Sequence, residues 1–110
     1  MANVNPPKKN QAWAIDVSLE DFSTPGAFKS TPTLAAGDFK LVIDGVASTL
    51  GAAGSDSLIT LPTNTPASSI VVHIACSAAE MNGDIITIKC SDQTATKEWG
   101  DLLICIQTTA

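Results

Sequence analysis

Residues 69–92, SIVVHIACSAAEMNGDIITIKCSD, constrain this chain more than any other stretch. Two runs rich in β-branched residues, 70–76 and 84–91, flank the connection Ser77-Ala78-Ala79-Glu80-Met81-Asn82-Gly83. Valine, isoleucine and threonine are stiff at χ1 and fit a pleated surface, so both runs read as strands. Ser77 and Glu80 have the S-x-x-E spacing of a capping box, in which a hydroxyl and a carboxylate each accept from an orphan amide. Asn82 and Gly83 tolerate positive φ and give the turn its stop. The unit is a strand, one short helical turn over 77–81, and a second strand. Having the densest apolar content, it is expected to be the part around which the other strands pack.

At 110 residues the chain is long enough for one sandwich core and too short for two. The composition is 45% hydrophobic with no tyrosine and few aromatics, so the core must be built from Ile, Val, Leu and Ala. The six basic residues are all lysine. Lys8 and Lys9 lie in the N-terminal segment, which leaves four lysines against eleven carboxylates, 4 − 11 = −7, over the remainder. Such a surface repels phosphate and has no guanidinium forks to read bases, which excludes nucleic acid as the expected partner. No apolar run reaches the roughly 18 to 20 residues that span a bilayer, and no secretory n-region and h-region open the chain, so no membrane partner is expected.

Along the chain, residues 1–10, MANVNPPKKN, read as an extended arm, because a Pro-Pro pair and two lysines favour polyproline-like backbone. The sandwich domain is expected over 11–110. Trp13, Ile15, Val17 and Leu19 alternate with polar or small residues as a first strand. A short edge strand is expected over 27–30 between Pro25 and Pro32. Phe39, Leu41 and Ile43 alternate again, and Asp44-Gly45 is a type I′ hairpin signal with residues 46–50 as the return strand. The Gly-Ala-rich stretch 51–56 reads as a loop, 57–61 as a strand and 63–68 as another loop. In the last strand, 98–107, Leu102, Ile104 and Ile106 stand against Trp99, Leu103 and Cys105. Both of its faces are apolar, which predicts a strand central in its sheet or covered by a partner. About eight short strands separated by turn chemistry give an all-β chain, a single β-sandwich of immunoglobulin-like or jelly-roll type.

Reaction chemistry finds no foothold in the sequence. His73 is the one histidine and lies mid-strand between Val72 and Ile74, where a sheet-surface residue is expected rather than a base. No G-x-S-x-G, G-x-G-x-x-G, P-loop or H-E-x-x-H pattern is present, so no enzyme activity, catalytic residue or cofactor is expected. Cys76, Cys90 and Cys105 have no C-x-x-C pairing and read as small buried apolar residues. A zinc site from these with His73 is disfavoured, because His73 and Cys76 differ by an odd number of positions and point to opposite faces of a strand. Asp44, Asp84 and Asp92 stand at turns or strand ends, where carboxylates satisfy backbone amides. A calcium site from such loop carboxylates has no EF-hand-like spacing behind it, so no metal is expected.

Several phrases carry a resemblance: Lys9-Asn10, Phe28-Lys29-Ser30, PTLAAGD over 32–38, Asp44-Gly45, SAAEMNGD over 77–84, Glu98-Trp99-Gly100-Asp101 and Ile106-Gln107-Thr108. Together they look like a family of small virion structural proteins of tailed bacteriophages, with the match running from about residue 8 to the end. A lone sandwich of this size is similar to the decoration, or cement, proteins of the head. The departures are the Gly-Ala-rich loop at 51–56 and Gly100, where a larger residue or a cysteine is expected. The resemblance implies a protein of the capsid surface, present in the host cytoplasm during assembly, that staples neighbouring major capsid subunits. Its partners would be the major capsid protein and, as a homo-oligomer, itself. Pro6, Pro7, Lys8 and Lys9 are the expected capsid contacts, and Ser77, Glu80, Asn82 and Gly83 the structural turn. A tail or fibre adaptor is the alternative.

Overall fold

The computed structural model describes residues 6–110, so the portion of the expected arm over residues 1–5 lies outside the described residues. The described residues form seven strands, β1 (Trp13–Ser18), β2 (Phe39–Ile43), β3 (Val46–Ala47), β4 (Thr63–Asn64), β5 (Val71–Cys76), β6 (Ile85–Cys90) and β7 (Leu102–Gln107). They make two antiparallel sheets in a sandwich, one ordered β1-β5-β4 and the other β3-β2-β6-β7. The all-β reading holds, and the only helical elements among the described residues are 3-10 turns at Ala36–Asp38 and Ala52–Gly54.

β5 and β6 belong to different sheets, so the connection 77–84 carries the chain across the sandwich. Val72, Ile74 and Cys76 point inward from one sheet, and Ile86, Ile88 and Cys90 from the other, all buried. Two short alternating runs joined by one corner thus supply facing halves of the core. Phe39, Leu41, Leu58, Met81 and Ile106 fill the space around them. Trp99 closes the end opposite the corner, stacked on Phe39 with ring centroids 5.8 Å apart, its Nε1 donating to the Thr33 carbonyl at 3.2 Å. The core is aliphatic with this one aromatic pair.

Five expected elements differ. Residues 27–30 form no strand; Phe28 makes only a bridge to Glu20, and Thr31, at φ 49°, turns the backbone before a ladder can extend. The return strand over 46–50 shortens to β3, and residues 57–61 contribute only a bridge from Ser57 to Lys40. These two segments divide one side of β2. β3 pairs with Val42 and Ile43, while Asp56 accepts from Leu41 N at 2.8 Å and Leu58 N donates to Phe39 O at 3.1 Å. Within the expected loop 63–68, Thr63 and Asn64 pair with His73 and Val72 of β5. β7 is not central in its sheet; among the described residues it pairs with β6 alone and forms an edge.

Candidate functional site

The corner is built as its capping-box spacing predicts. Ser77 N donates to Glu80 Oε1 at 2.8 Å, and Glu80 N to the Ser77 hydroxyl at 3.3 Å. Met81 N donates back to Ser77 O at 3.1 Å, which closes one turn that does not continue into a helix. Glu80 is fully buried, and its second oxygen accepts from Ile59 N at 2.9 Å. That bond holds residue 59 away from β2 and helps end the 57–61 segment as a strand.

Asn82 and Gly83 do not take the positive φ expected of them. Gly83 is required by crowding instead: a Cβ there would lie 2.5 Å from Ile43 Cγ2 and 3.0 Å from Asp44 Oδ2. The positive φ values fall at the neighbouring hairpin, on Asp44 (51°) and Gly45 (82°), as a type I′ turn demands. The Asp44 carboxylate reaches over to accept from Asp84 N and Ile85 N, each at 2.9 Å, so it staples the hairpin tip to the start of β6.

The arm meets this corner. Asn10 N donates to Met81 O at 3.0 Å, Lys9 N to Thr109 O at 2.8 Å, and Thr109 N to Pro7 O at 3.0 Å. Lys9 Nζ sits 3.4 Å from Asp84 Oδ1. Residues 7–10 are therefore tied to their own chain, although the sequence offers no partner for them there. Of the four expected contact residues, Pro6 and Lys8 are exposed, Pro7 is half-buried, and Lys9 is exposed and paired with Asp84. The structure brings the arm and the turn residues together at one end of the sandwich, joined by the tip of the β2–β3 hairpin.

The other end gathers acidic and aromatic loops. Asp92 is buried and accepts from Glu98 N at 2.7 Å and Thr94 N at 3.1 Å. Burial works to raise its pKa, but these amides, the Thr94 hydroxyl and the Lys97 charge outweigh it and hold the carboxyl below its ordinary value. Phe22 and Phe28 project from the 20–28 loop with more than half of their surface exposed. Phe22 N donates to Glu98 O at 2.9 Å and Asp21 bridges Trp99, so the buried tryptophan anchors the loop that displays both rings. Phe22 stands in a loop with no period to show which way it faces, and Phe28 falls in the expected edge strand over 27–30, which does not form.

His73 stands on the outer face of β5, as expected, with Nδ1 2.7 Å from Asp16 Oδ1 on β1. Cys76 and Cys90 are buried, but Cys105 is exposed, contrary to the expectation for all three. It lies on the outward face of β7, opposite in phase to buried Ile106. Among the described residues no group of three or more His, Cys, Asp or Glu stands close enough to hold a metal ion. Open concavities include one of about 340 Å³ beside Lys89, Asp101 and Leu103 and another of about 330 Å³ bordered by Ile85, Cys105 and Gln107. What the surface offers is apolar contact, with Phe22, Phe28, Val46, Ile59, Ile85 and Leu103 each at least half exposed. No family model, curated protein or solved structure matches this chain.

Proposed function

We propose that this chain is a structural protein of a phage virion, a decoration protein that binds the capsid exterior and staples neighbouring major capsid subunits. The observation that carries the reading is the distribution of exposed apolar side chains: Phe22 and Phe28 at one end, Val46 at the other, and Leu103 along an edge between them. A small rigid body with contact groups at opposite ends suits a bridge between two subunits. The resemblance of its sequence phrases to small virion proteins supports the same reading, and Pro6 and Lys8 remain exposed for contact beside the corner. Each contact removes apolar area from water at about 25 cal/mol per Å², and many copies on one shell add these modest terms. A staple that binds the assembled shell and not its free subunits raises shell stability with occupancy.

A tail or fibre adaptor is the second reading, favoured by the pairing of Phe22 and Phe28 on one loop, which suits a single binding partner at one end. Quantitative mass spectrometry of purified particles separates the two. A decoration protein is present in numbers comparable to the major capsid protein, whereas an adaptor follows the low symmetry of the tail. Heads stripped of the protein are expected to release DNA at lower temperature and to recover on adding it back. Stripped heads as robust as decorated ones would exclude the staple.

A further inference from the structure

Among the described residues nothing pairs with the open side of β7 between Leu102 and Gln107. Thr108 N donates to Asp84 O at 3.0 Å, one pair beyond Ile85 and Gln107, so the even-numbered residues of β7 face β6. By the same alternation Leu103, Cys105 and Gln107 turn N–H and C=O to the open side. Thr109 continues the pattern, and there the arm occupies the open side: Thr109 N donates to Pro7 O and Lys9 N to Thr109 O. The arm supplies no further donor at its next positions, because Pro6 and Pro7 have no N–H. Exposed edges are ordinarily blunted by lysine, proline or a bulge, since a free ladder templates pairing with another chain. The sequence of β7, LLICIQ, has no charge and no proline, and its register with β6 runs without a bulge. Leu103 is 60% exposed on one face, and Leu102 and Ile104 are only partly buried on the other.

We propose that β7 pairs with β7 of a second copy of this chain, antiparallel about a two-fold axis at Ile104, which joins two four-stranded sheets into one. Charge selects the occupant and the direction. Asp101, paired with Lys97 at 2.8 Å but with its side chain 68% exposed, precedes β7, while exposed Lys8 lies beside the far end at Thr109. Antiparallel pairing brings each copy's Lys8 beside the other's Asp101; parallel pairing would set like charges together. The arm and the charges together select the register. With Ile104 opposite itself, Leu103 faces Cys105 of the second copy and the ladder over 102–106 stops short of Thr108 and Thr109, where Pro7 and Lys8 lie. A shift that set Cys105 opposite itself would drive Asp101 of the second copy into the place held by Lys8. A single strand pair is a small interface, so the dimer is concentration-dependent. The inference is independent of the capsid reading, since the pairing needs no shell.

Sedimentation velocity in reducing, low-salt buffer tests it, with the mass expected to rise with concentration from 11.3 kDa toward twice that value. Cys105→Pro removes a donor from the open side alone, a change an edge strand accepts, and is expected to keep its strand signal in circular dichroism while losing the dimer. Lys8→Glu and Asp101→Lys chains are each expected to lose the dimer alone and to recover it when mixed in equal amounts. This pair carries the test should Cys105→Pro unfold. A wild-type mass that stays at the monomer value up to the solubility limit overturns the proposal. So does a dimer that survives Cys105→Pro, a mixture that stays monomeric, or dimerisation that appears only when residues 1–5 are removed, which would mean the chain's own start covers the edge.

Discussion

Cys76 and Cys90 sit on the inward faces of β5 and β6, where burial pushes both thiols up to about 12, with the Glu80 charge adding to the effect at Cys76. A thiolate is the reactive form, so neither is a nucleophile at neutral pH, whereas Cys105 is open to solvent on β7. An aromatic disulfide reagent at pH 8 is therefore expected to titrate one thiol per chain quickly and the other two only after unfolding. Three equivalents reacting at one rate would mean that the two sheets part in the native protein. The sequence assigned all three cysteines to the core. For Cys76 and Cys90 that expectation holds, on the inward faces they share with Ile74 and Ile88. Cys105 is flanked by Ile104 and Ile106 and shares its own face with Leu103, so hydrophobicity alone did not say which face of β7 meets the core.

The corner between β5 and β6 depends on Gly83 for space, and that sets the outcome of replacing it. A methyl at this position meets Ile43 Cγ2 and the Asp44 carboxylate, the group that ties the hairpin tip to Asp84 and Ile85. Gly83→Ala is expected to destabilise by about 1 to 3 kcal/mol through overpacking, and Gly83→Val by more. Chemical denaturation measures both; Gly83→Ala as stable as wild type would remove the crowding account. Gly100→Ala is a suitable control, since a Cβ there meets only Glu20 Oε1 at 3.8 Å. The local part of this corner was legible in the sequence, because Ser77 and Glu80 satisfy each other within one turn. The bonds from Ile59 to Glu80 and from Asp84 and Ile85 to Asp44 join residues 21, 40 and 41 positions apart, and no local pattern encodes them. The same limit explains one missing strand. Residues 57–61 have strand composition, but β3 already takes part of the side of β2 they would pair with, whereas 27–30 stop at the turn on Thr31. The edge position of β7 likewise follows from sheet order, which its apolar faces leave open.

Across the whole molecule, acidic and alkaline stability are governed by different groups. Asp21, Asp92 and Asp101 all titrate below the ordinary 3.8, the first chiefly through the Ser23 hydroxyl and the last chiefly through Lys97. A depressed folded pKa contributes stability above the unfolded value and loses it as pH falls through the folded one. Asp101 lies in solvent and Asp21 is only half-buried, so of the three Asp92, which is buried and ties residues 94 and 98, weighs most on the acid limb. The buried thiols have the opposite sign. Raised from 9.0 to about 12, they contribute stability that is complete below pH 9 and is lost as pH climbs toward 12. Melting temperature is therefore expected to be level between about pH 5 and 8.5, to fall below about pH 4, and to fall again above about pH 9. A Cys76→Ala/Cys90→Ala variant should melt lower on the plateau, by the cavities it opens, yet show a shallower alkaline decline. An alkaline limb as steep as that of the wild type would assign the loss to the lysines instead, leaving the buried thiols without a part in it.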